Sequence, residues 1–173
     1  MNYNEKQVRD LLDGTLPWPQ LHQIMSAYKD AGRFELYLKI LQERVPWDER
    51  ILLPLTDRLY VVDKGSGGVV KCDCGHEFGD YRQNWKLSAL IRVRNTAEAL
   101  SEIYGPFACD PEWMELREFL CPGCGALLEV DAAVPGYPVT FDFLPDLATL
   151  YREWLDEPVP EWVEEHQASA RLA

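Results

Sequence analysis

Two close pairs of cysteines constrain the fold of this chain more than any other feature of its sequence. The first pair lies in Cys72-Asp73-Cys74-Gly75-His76 and the second in Cys121-Pro122-Gly123-Cys124-Gly125. A structural zinc ion binds four ligands in a tetrahedron, at about 2.3 Å from each thiolate, so neighbouring sulfurs lie about 3.8 Å apart. A tight turn that carries two cysteines presents its thiolates at such a spacing. The pairs therefore predict one zinc site, formed by Cys72, Cys74, Cys121 and Cys124.

Other interpretations of the cysteines stay open from the sequence. The four thiols could be buried without metal, or paired as disulfides, although a reducing compartment disfavours disulfides. Three of them could hold a catalytic metal with an open coordination position. His76 could replace Cys72 or Cys74 as a ligand, or hydrogen-bond a thiolate. Cys109 has no cysteine at chelating distance in the sequence and is predicted to be an ordinary thiol.

Strand patterns flank both cysteine pairs. Short runs rich in β-branched and aliphatic residues, bounded by glycine turns, favour antiparallel hairpins. The predicted strands are Leu59–Val62, Val69–Lys71, Leu87–Val93, Leu116–Leu120 and Ala126–Val130, with a hairpin turn at Gly65–Gly68. A short helix capped by Thr96 is predicted from Ala97 to Tyr104. Residues 59–134 are therefore interpreted as a zinc-ribbon-like module with one cysteine turn on each of two hairpins.

The two ends of the chain have different patterns. Residues 1–58 are predicted to be a helical region, with helices ending near Leu12, Asp30 and Arg44. Residues 135–173 are rich in proline and are predicted to be an arm with one helix, Asp146–Leu155. The ending from about Pro160 is expected to be an exposed tail or an arm that lies on a partner. The predicted fold class is thus α+β, with N-terminal helices, a central antiparallel module and a C-terminal helix.

The charge of the chain excludes several partners. It carries 17 Lys and Arg against 29 Asp and Glu, a net charge of −12. Residues 60–134 alone hold seven basic and twelve acidic residues. Phosphate neutralisation dominates nucleic-acid affinity, and anionic membranes attract basic segments, so neither partner is expected. The sequence also shows no membrane span and no signal-peptide layout at its N-terminus, which predicts a cytoplasmic protein.

The sequence lacks the motifs of common catalytic sites. It has no dinucleotide fingerprint, no P-loop and no nucleophile elbow. It does contain six tryptophans, a residue type enriched at protein interfaces. An acidic chain with a predicted closed metal site and many aromatic residues is typical of a subunit of a larger assembly.

Longer runs around the cysteines resemble a known family. They are Cys72–Phe78, Asn84–Leu87, Arg117–Gly125, Tyr137–Val139 and Asp142–Phe143, with further similarity at Ile40–Arg44, Pro46–Asp48 and Tyr151–Leu155. Over about residues 15 to 160, the chain resembles the small gamma subunit of acetone carboxylase. A related small subunit occurs in acetophenone carboxylase, so the ketone stays open.

The resemblance implies a bacterial ATP-dependent ketone carboxylase, in which acetone and bicarbonate are activated by phosphorylation and joined to give acetoacetate. It implies large alpha and beta subunits, similar to hydantoinases, that bind ATP, substrate and manganese. The gamma subunit would contribute a structural zinc ion to this hetero-oligomer, and the isolated chain would be inactive. The alternative is a zinc-ribbon adaptor in an unrelated protein or nucleic-acid assembly.

Overall fold

The structure, a computed structural model, describes residues 3–27 and 31–163 of the chain. It confirms the α+β class, with helices at the N-terminus, two antiparallel sheets in the middle and a helix near the C-terminus. The helices are α1 (Glu5–Leu12), α2 (Trp18–Ser26), α3 (Ala31–Arg44), α4 (Ala97–Tyr104) and α5 (Leu147–Thr149). The strands are β1 (Ile51–Thr56), β2 (Leu59–Asp63), β3 (Gly68–Cys72), β4 (Glu77–Asp80), β5 (Leu90–Arg94), β6 (Glu115–Leu120) and β7 (Leu127–Ala133).

The N-terminal helices begin and end near the positions predicted from sequence. Asn4 caps α1 in a reciprocal capping box with Gln7, which satisfies two backbone N–H groups at the helix start. Helix α2 ends at Ser26, and the last part of its predicted range, residues 28–30, lies outside the described residues. Leu41 of α3 packs in one apolar cluster with side chains of β1 and β2, so the helices lie against the first sheet.

The first sheet has the strand order β1-β2-β3-β4, and two of its strands were not predicted. Strand β1 falls inside the region 1–58, which the sequence predicted to be helical. It was missed because Pro54 interrupts its apolar run, and proline is tolerated in a sheet at an edge strand such as this one. Strand β4 was missed because its sequence, Glu-Phe-Gly-Asp, lacks β-branched residues and includes Gly79 at φ +101°.

The second sheet has the order β5-β6-β7. The strand predicted at Leu87–Val93 starts later, at Leu90, because the 3₁₀ helix Trp85–Ser88 precedes it. The Asn84 side chain accepts a hydrogen bond from the Lys86 N–H and caps this turn. Trp85 fills the core between the sheets, with its ring 5.6 Å from Phe78 of β4 and 6.1 Å from Phe119 of β6. This core directly underlies the cysteine turns.

The C-terminal segment folds back on the first sheet. Helix α5 continues as a π-helix, Leu150–Leu155, as far as the predicted helix extends. The Tyr151 hydroxyl donates to the Leu52 carbonyl at 2.9 Å, and Trp162 Nε1 donates to Asp63 at 2.9 Å. The expectation of an exposed tail from about Pro160 is therefore wrong for Trp162 and Val163, which are buried in this core. Residues 164–173 lie outside the described part of the chain.

Among the described residues, none of the helices has the length and apolar character that a membrane span requires.

Candidate metal centre

Each cysteine pair forms the turn of an antiparallel hairpin. The first knuckle, residues 72–76, joins β3 to β4, and the second knuckle, residues 121–125, leads from β6 towards β7. In each knuckle, the N–H of the first cysteine donates to a carbonyl after the turn, at 2.9 Å. The carbonyl of that first cysteine accepts a hydrogen bond from the N–H of the glycine that follows the second cysteine, at 2.8 Å. The two turns thus share one backbone design.

The glycine after each second cysteine is required by this design. Gly75 has φ +98° and Gly125 has φ +72°, a conformation that L side chains rarely adopt. The positive φ reverses the chain immediately after the second thiol and returns it to the hairpin. The local sequence therefore explains why both cysteines of a pair project from one tight turn.

The structure brings the four predicted ligands into one cluster. The Sγ atoms of Cys72, Cys74, Cys121 and Cys124 all lie within 4.8 Å of one another. The distance from Cys72 Sγ to Cys124 Sγ is 3.9 Å, and that from Cys74 Sγ to Cys121 Sγ is 3.7 Å. These values match the tetrahedral edge of about 3.8 Å expected for thiolates at about 2.3 Å from zinc, and they are far longer than a disulfide bond of about 2.05 Å.

Gly123 allows the knuckles to approach this closely. A Cβ at this position would lie 2.9 Å from His76 Cβ and 3.4 Å from Cys74 Sγ. The first distance is shorter than real carbon–carbon contacts, so any larger residue would push the knuckles apart. The glycine in the second turn is therefore needed for packing against the first turn and for the sulfur spacing.

The cluster lies at the boundary between core and solvent. Cys72 and Cys121 are buried, whereas Cys74 and Cys124 are exposed, so each knuckle contributes one inner and one outer sulfur. Burial raises the pKa of the Cys72 thiol, while a hydrogen bond from the Ala126 backbone lowers the pKa of Cys124. A bound dication would deprotonate all four thiols outright. Four thiolates can fill all four positions of a tetrahedral site and leave none open for a substrate, which fits structural zinc.

An ion pair holds the tip of the first knuckle. Arg58, in the β1–β2 turn, donates to both carboxylate oxygens of Asp73, at 2.6 and 3.0 Å. Asp73 Oδ1 lies 3.1 Å from Cys72 Sγ, and the Asp73 carbonyl accepts from Trp47 Nε1 at 3.1 Å. The carboxylate of Asp73 raises the pKa of Arg58, and the neighbouring Cys124 and Cys72 act in the same direction. This guanidinium places a fixed positive charge beside the sulfur cluster.

A second charged cluster joins the Cys121 hairpin to the C-terminal segment. Lys86 is 2% exposed, and its ammonium lies 2.9 Å from Glu129, 2.8 Å from Asp131, and in contact with Asp142. Burial lowers the pKa of Lys86, but hydrogen bonds to Asp131, Asp142 and Glu129 outweigh burial and raise it. The three carboxylates are close enough to one another to hold a cation, but the lysine already occupies the space between them.

The other sequence candidates lie outside the sulfur cluster. Among the described residues, His76 is not in the group of metal-capable side chains formed by the cysteines. Its ring packs edge-on against Phe78, at 5.0 Å between centroids. Cys109 Sγ is 3.9 Å from the Met114 carbonyl and is also outside the group.

Sequence reasoning missed the roles of Arg58 and Lys86. Arg58 carries no local signal, because its partner Asp73 is 15 residues away. Lys86 lies in the quoted run Asn84–Leu87, but its three acidic partners are scattered over residues 129–142.

Comparisons with known proteins identify a family for this chain. The family described as "Acetone carboxylase gamma subunit" matches residues 45–155, which include both knuckles and the Lys86 cluster. The chain is 46% identical over 164 residues to the acetone carboxylase gamma subunit of Xanthobacter autotrophicus, covering 93% of this chain and 98% of that protein. It is 29% identical over 117 residues to the acetophenone carboxylase beta subunit of Aromatoleum aromaticum, covering 64% of this chain and 81% of that protein. The chain belongs to the acetone carboxylase gamma subunit family.

Proposed function

We propose that this chain is the small, zinc-binding structural subunit of an ATP-dependent ketone carboxylase. One observation carries the proposal: four thiols lie within 4.8 Å of one another in a chain that is 46% identical to a named carboxylase subunit. The reaction is the joining of acetone and bicarbonate to give acetoacetate. The name of the relative favours acetone over acetophenone as the substrate, because the acetophenone relative is less similar.

Cys72, Cys74, Cys121 and Cys124 would hold the zinc ion in this proposal. Zinc supplies a cross-link between thiolates and, in a closed site, no chemistry towards a substrate. The chain's own residues then connect the two sheets: each hairpin contributes two sulfurs, and the core of Phe78, Trp85 and Phe119 packs beneath them. A rigid pair of hairpins would give larger partners a defined surface to bind.

The chemistry is assigned to the partners. ATP, manganese and substrate would bind large alpha and beta subunits that resemble hydantoinases, and the isolated chain would be inactive. We place the complex in the cytoplasm, because a reducing compartment keeps the cysteines from forming disulfides and leaves them able to bind zinc. Nucleic acid is disfavoured as a partner, because residues 60–134 hold seven basic and twelve acidic residues and would repel its phosphates.

The C-terminal arm is proposed as one contact with the large subunits. Tyr151 and Trp162 are packed on the first sheet, whereas Phe143 and Leu144 are 61% and 56% exposed. Deleting the arm would therefore open the core of the chain itself. The substitutions Phe143→Ser and Leu144→Ser test the contact without removing the buried anchors.

The proposed function is tested by purifying the chain from cells that make its native complex and identifying the proteins that accompany it. The proposal expects two large subunits, acetone-dependent ATP hydrolysis in the complex and none in the isolated chain. Recovery of nucleic acid instead would support the zinc-ribbon adaptor. ATP hydrolysis by the isolated chain with acetone would contradict the non-catalytic role.

A further inference from the structure

One surface segment carries the two most exposed large apolar side chains among the described residues. We call residues 103–114 the aromatic crest; they run from the end of α4 to the start of β6. Its most exposed members are Phe107 at 88% and Trp113 at 76%. Ile103, Tyr104 and Met114 are also exposed. Large apolar side chains grouped in one exposed segment of a folded protein mark a binding site more often than chance exposure.

Backbone hydrogen bonds fix the shape of the crest. The Ala108 N–H donates to the Gly105 carbonyl, and the N–H groups of Trp113 and Met114 both donate to the Asp110 carbonyl. Cys109 Sγ also lies 3.9 Å from the Met114 carbonyl, so the second half of the crest closes into a turn. The two aromatic rings are therefore presented by ordered turns. A preordered surface loses little conformational entropy on binding.

The charge around the crest selects the partner. Between residues 95 and 116 the sequence contains five acidic residues and no Lys or Arg. Glu98, Asp110 and Glu112 are exposed, while Glu102 pairs with Arg94 at 2.6 Å. A second copy of this chain would bring like charges together, and an anionic membrane or nucleic acid would be repelled. The complementary surface is an apolar protein groove rimmed by Lys and Arg.

We infer that the aromatic crest docks into an apolar groove, rimmed by basic residues, on a large subunit of the complex, with Phe107 and Trp113 as its anchors. The inference rests on the proposed function, because that function supplies the partner. Trp is among the residues that most often dominate interface energies, and acidic rim residues increase the rate of association with a basic partner. The crest is distinct from the zinc site, so each contributes separately to assembly.

The experiment compares Phe107→Ser/Trp113→Ser with the matched control Leu87→Ser/Leu90→Ser, which changes two exposed apolar residues, one in the 3₁₀ helix Trp85–Ser88 and one at the start of β5. Each variant is titrated against the purified large subunits, with zinc content and thermal unfolding measured in parallel. The crest variant is expected to raise Kd about 30-fold, as loss of a hot spot does, with zinc content unchanged. The control is expected to change Kd by less than about threefold.

The contribution of the acidic residues around the crest to the association rate is tested by the variant Glu98→Gln/Glu112→Gln. This variant is expected to slow association at low ionic strength, with a difference from wild type that disappears near 1 M salt. Equal losses in the crest and control variants, an unchanged Kd in the crest variant, or self-association of the chain through the crest would overturn the inference alone. A wild-type chain that binds no large subunit would contradict the proposed function and the inference with it.

Discussion

The two knuckles both hold a pair of cysteines in a tight turn, but different kinds of contact hold each one in position. The second knuckle has two residues between its cysteines, Pro122 and Gly123, which are suited to a tight turn. The first has a single intervening residue, Asp73, and side chains from other parts of the chain fix its position. Arg58 holds the Asp73 carboxylate and Trp47 holds its carbonyl. Turn residues thus specify one half of the site, and tertiary contacts specify the other.

The hairpins that carry the knuckles differ in the same way. The Cys121 hairpin is anchored along its strands, where Lys86 contacts Glu129 and Asp131 of β7. The Cys72 hairpin is anchored at its tip by the Arg58–Asp73 pair. We therefore expect substitution of Lys86 to lower the free energy of unfolding, and substitution of Arg58 to increase the rate of metal release.

The largest effect is expected from Cys121→Ser, which removes an inner sulfur from the second knuckle. Structural zinc contributes roughly 10 kcal/mol of coupled folding free energy in small zinc peptides. The variant should lose its zinc and release its large subunits, as measured by metal analysis and size-exclusion chromatography. Cys109→Ser is the matched control, and it should keep both. Full zinc content in Cys121→Ser would refute the ligand assignment.

Lys86→Met should separate folding from metal binding. It leaves three carboxylates beside one another without their cation, but these carboxylates are partly exposed, so the cost is below the about 3 to 5 kcal/mol of a fully buried pair. We expect the free energy of unfolding in urea to fall by about 2 to 3 kcal/mol, with one zinc per chain retained while the chain is folded. A variant as stable as wild type would show that the cluster does not hold the C-terminal segment.

Gly123→Ala should force the knuckles apart. The added Cβ would meet His76 Cβ at 2.9 Å, and overpacking of this kind costs typically about 2 kcal/mol. We expect faster zinc transfer to a chromophoric chelator than in wild type. Gly67→Ala is the control, because its Cβ would have open space. Identical transfer rates in Gly123→Ala and wild type would mean that the turns approach less closely than described.

The smallest effect is expected from Arg58→Ala. The Arg58–Asp73 pair is partly exposed, so its contribution to stability is about 1 kcal/mol. We expect a several-fold increase in the rate of zinc release with little change in the unfolding midpoint. Arg82→Ala removes a similar Arg–Asp pair away from the cysteines and should leave zinc release unchanged. If Arg58→Ala released zinc at the wild-type rate, the Arg58–Asp73 pair would not be what holds the first knuckle in position.

The sequence predicted the elements whose cause is local. Short runs of β-branched and aliphatic residues beside glycine turns indicated β2, β3, β6 and β7, and cap residues indicated the starts of α1 and α4. The spacing within the cysteine pairs predicted the four-sulfur cluster, because it places two thiols on each of two turns.

What the sequence did not predict depends on distant contacts. Strand β1 exists because β2 supplies its hydrogen-bonding partner, despite Pro54. Trp162 is buried because it reaches Asp63, 99 residues earlier in the chain. Arg58 and Lys86 become important only when the fold brings acidic partners to them, and no local pattern encodes such partners.

X-ray absorption at the zinc edge, together with metal analysis of the complex, tests the central claim most directly. The account predicts one zinc ion per chain, with four sulfur ligands at about 2.3 Å from the metal. It predicts that both knuckles contribute equally, so Cys72→Ser and Cys121→Ser each abolish this signal. Zinc well below one equivalent with four free thiols, or a first shell containing nitrogen or oxygen, would contradict the account.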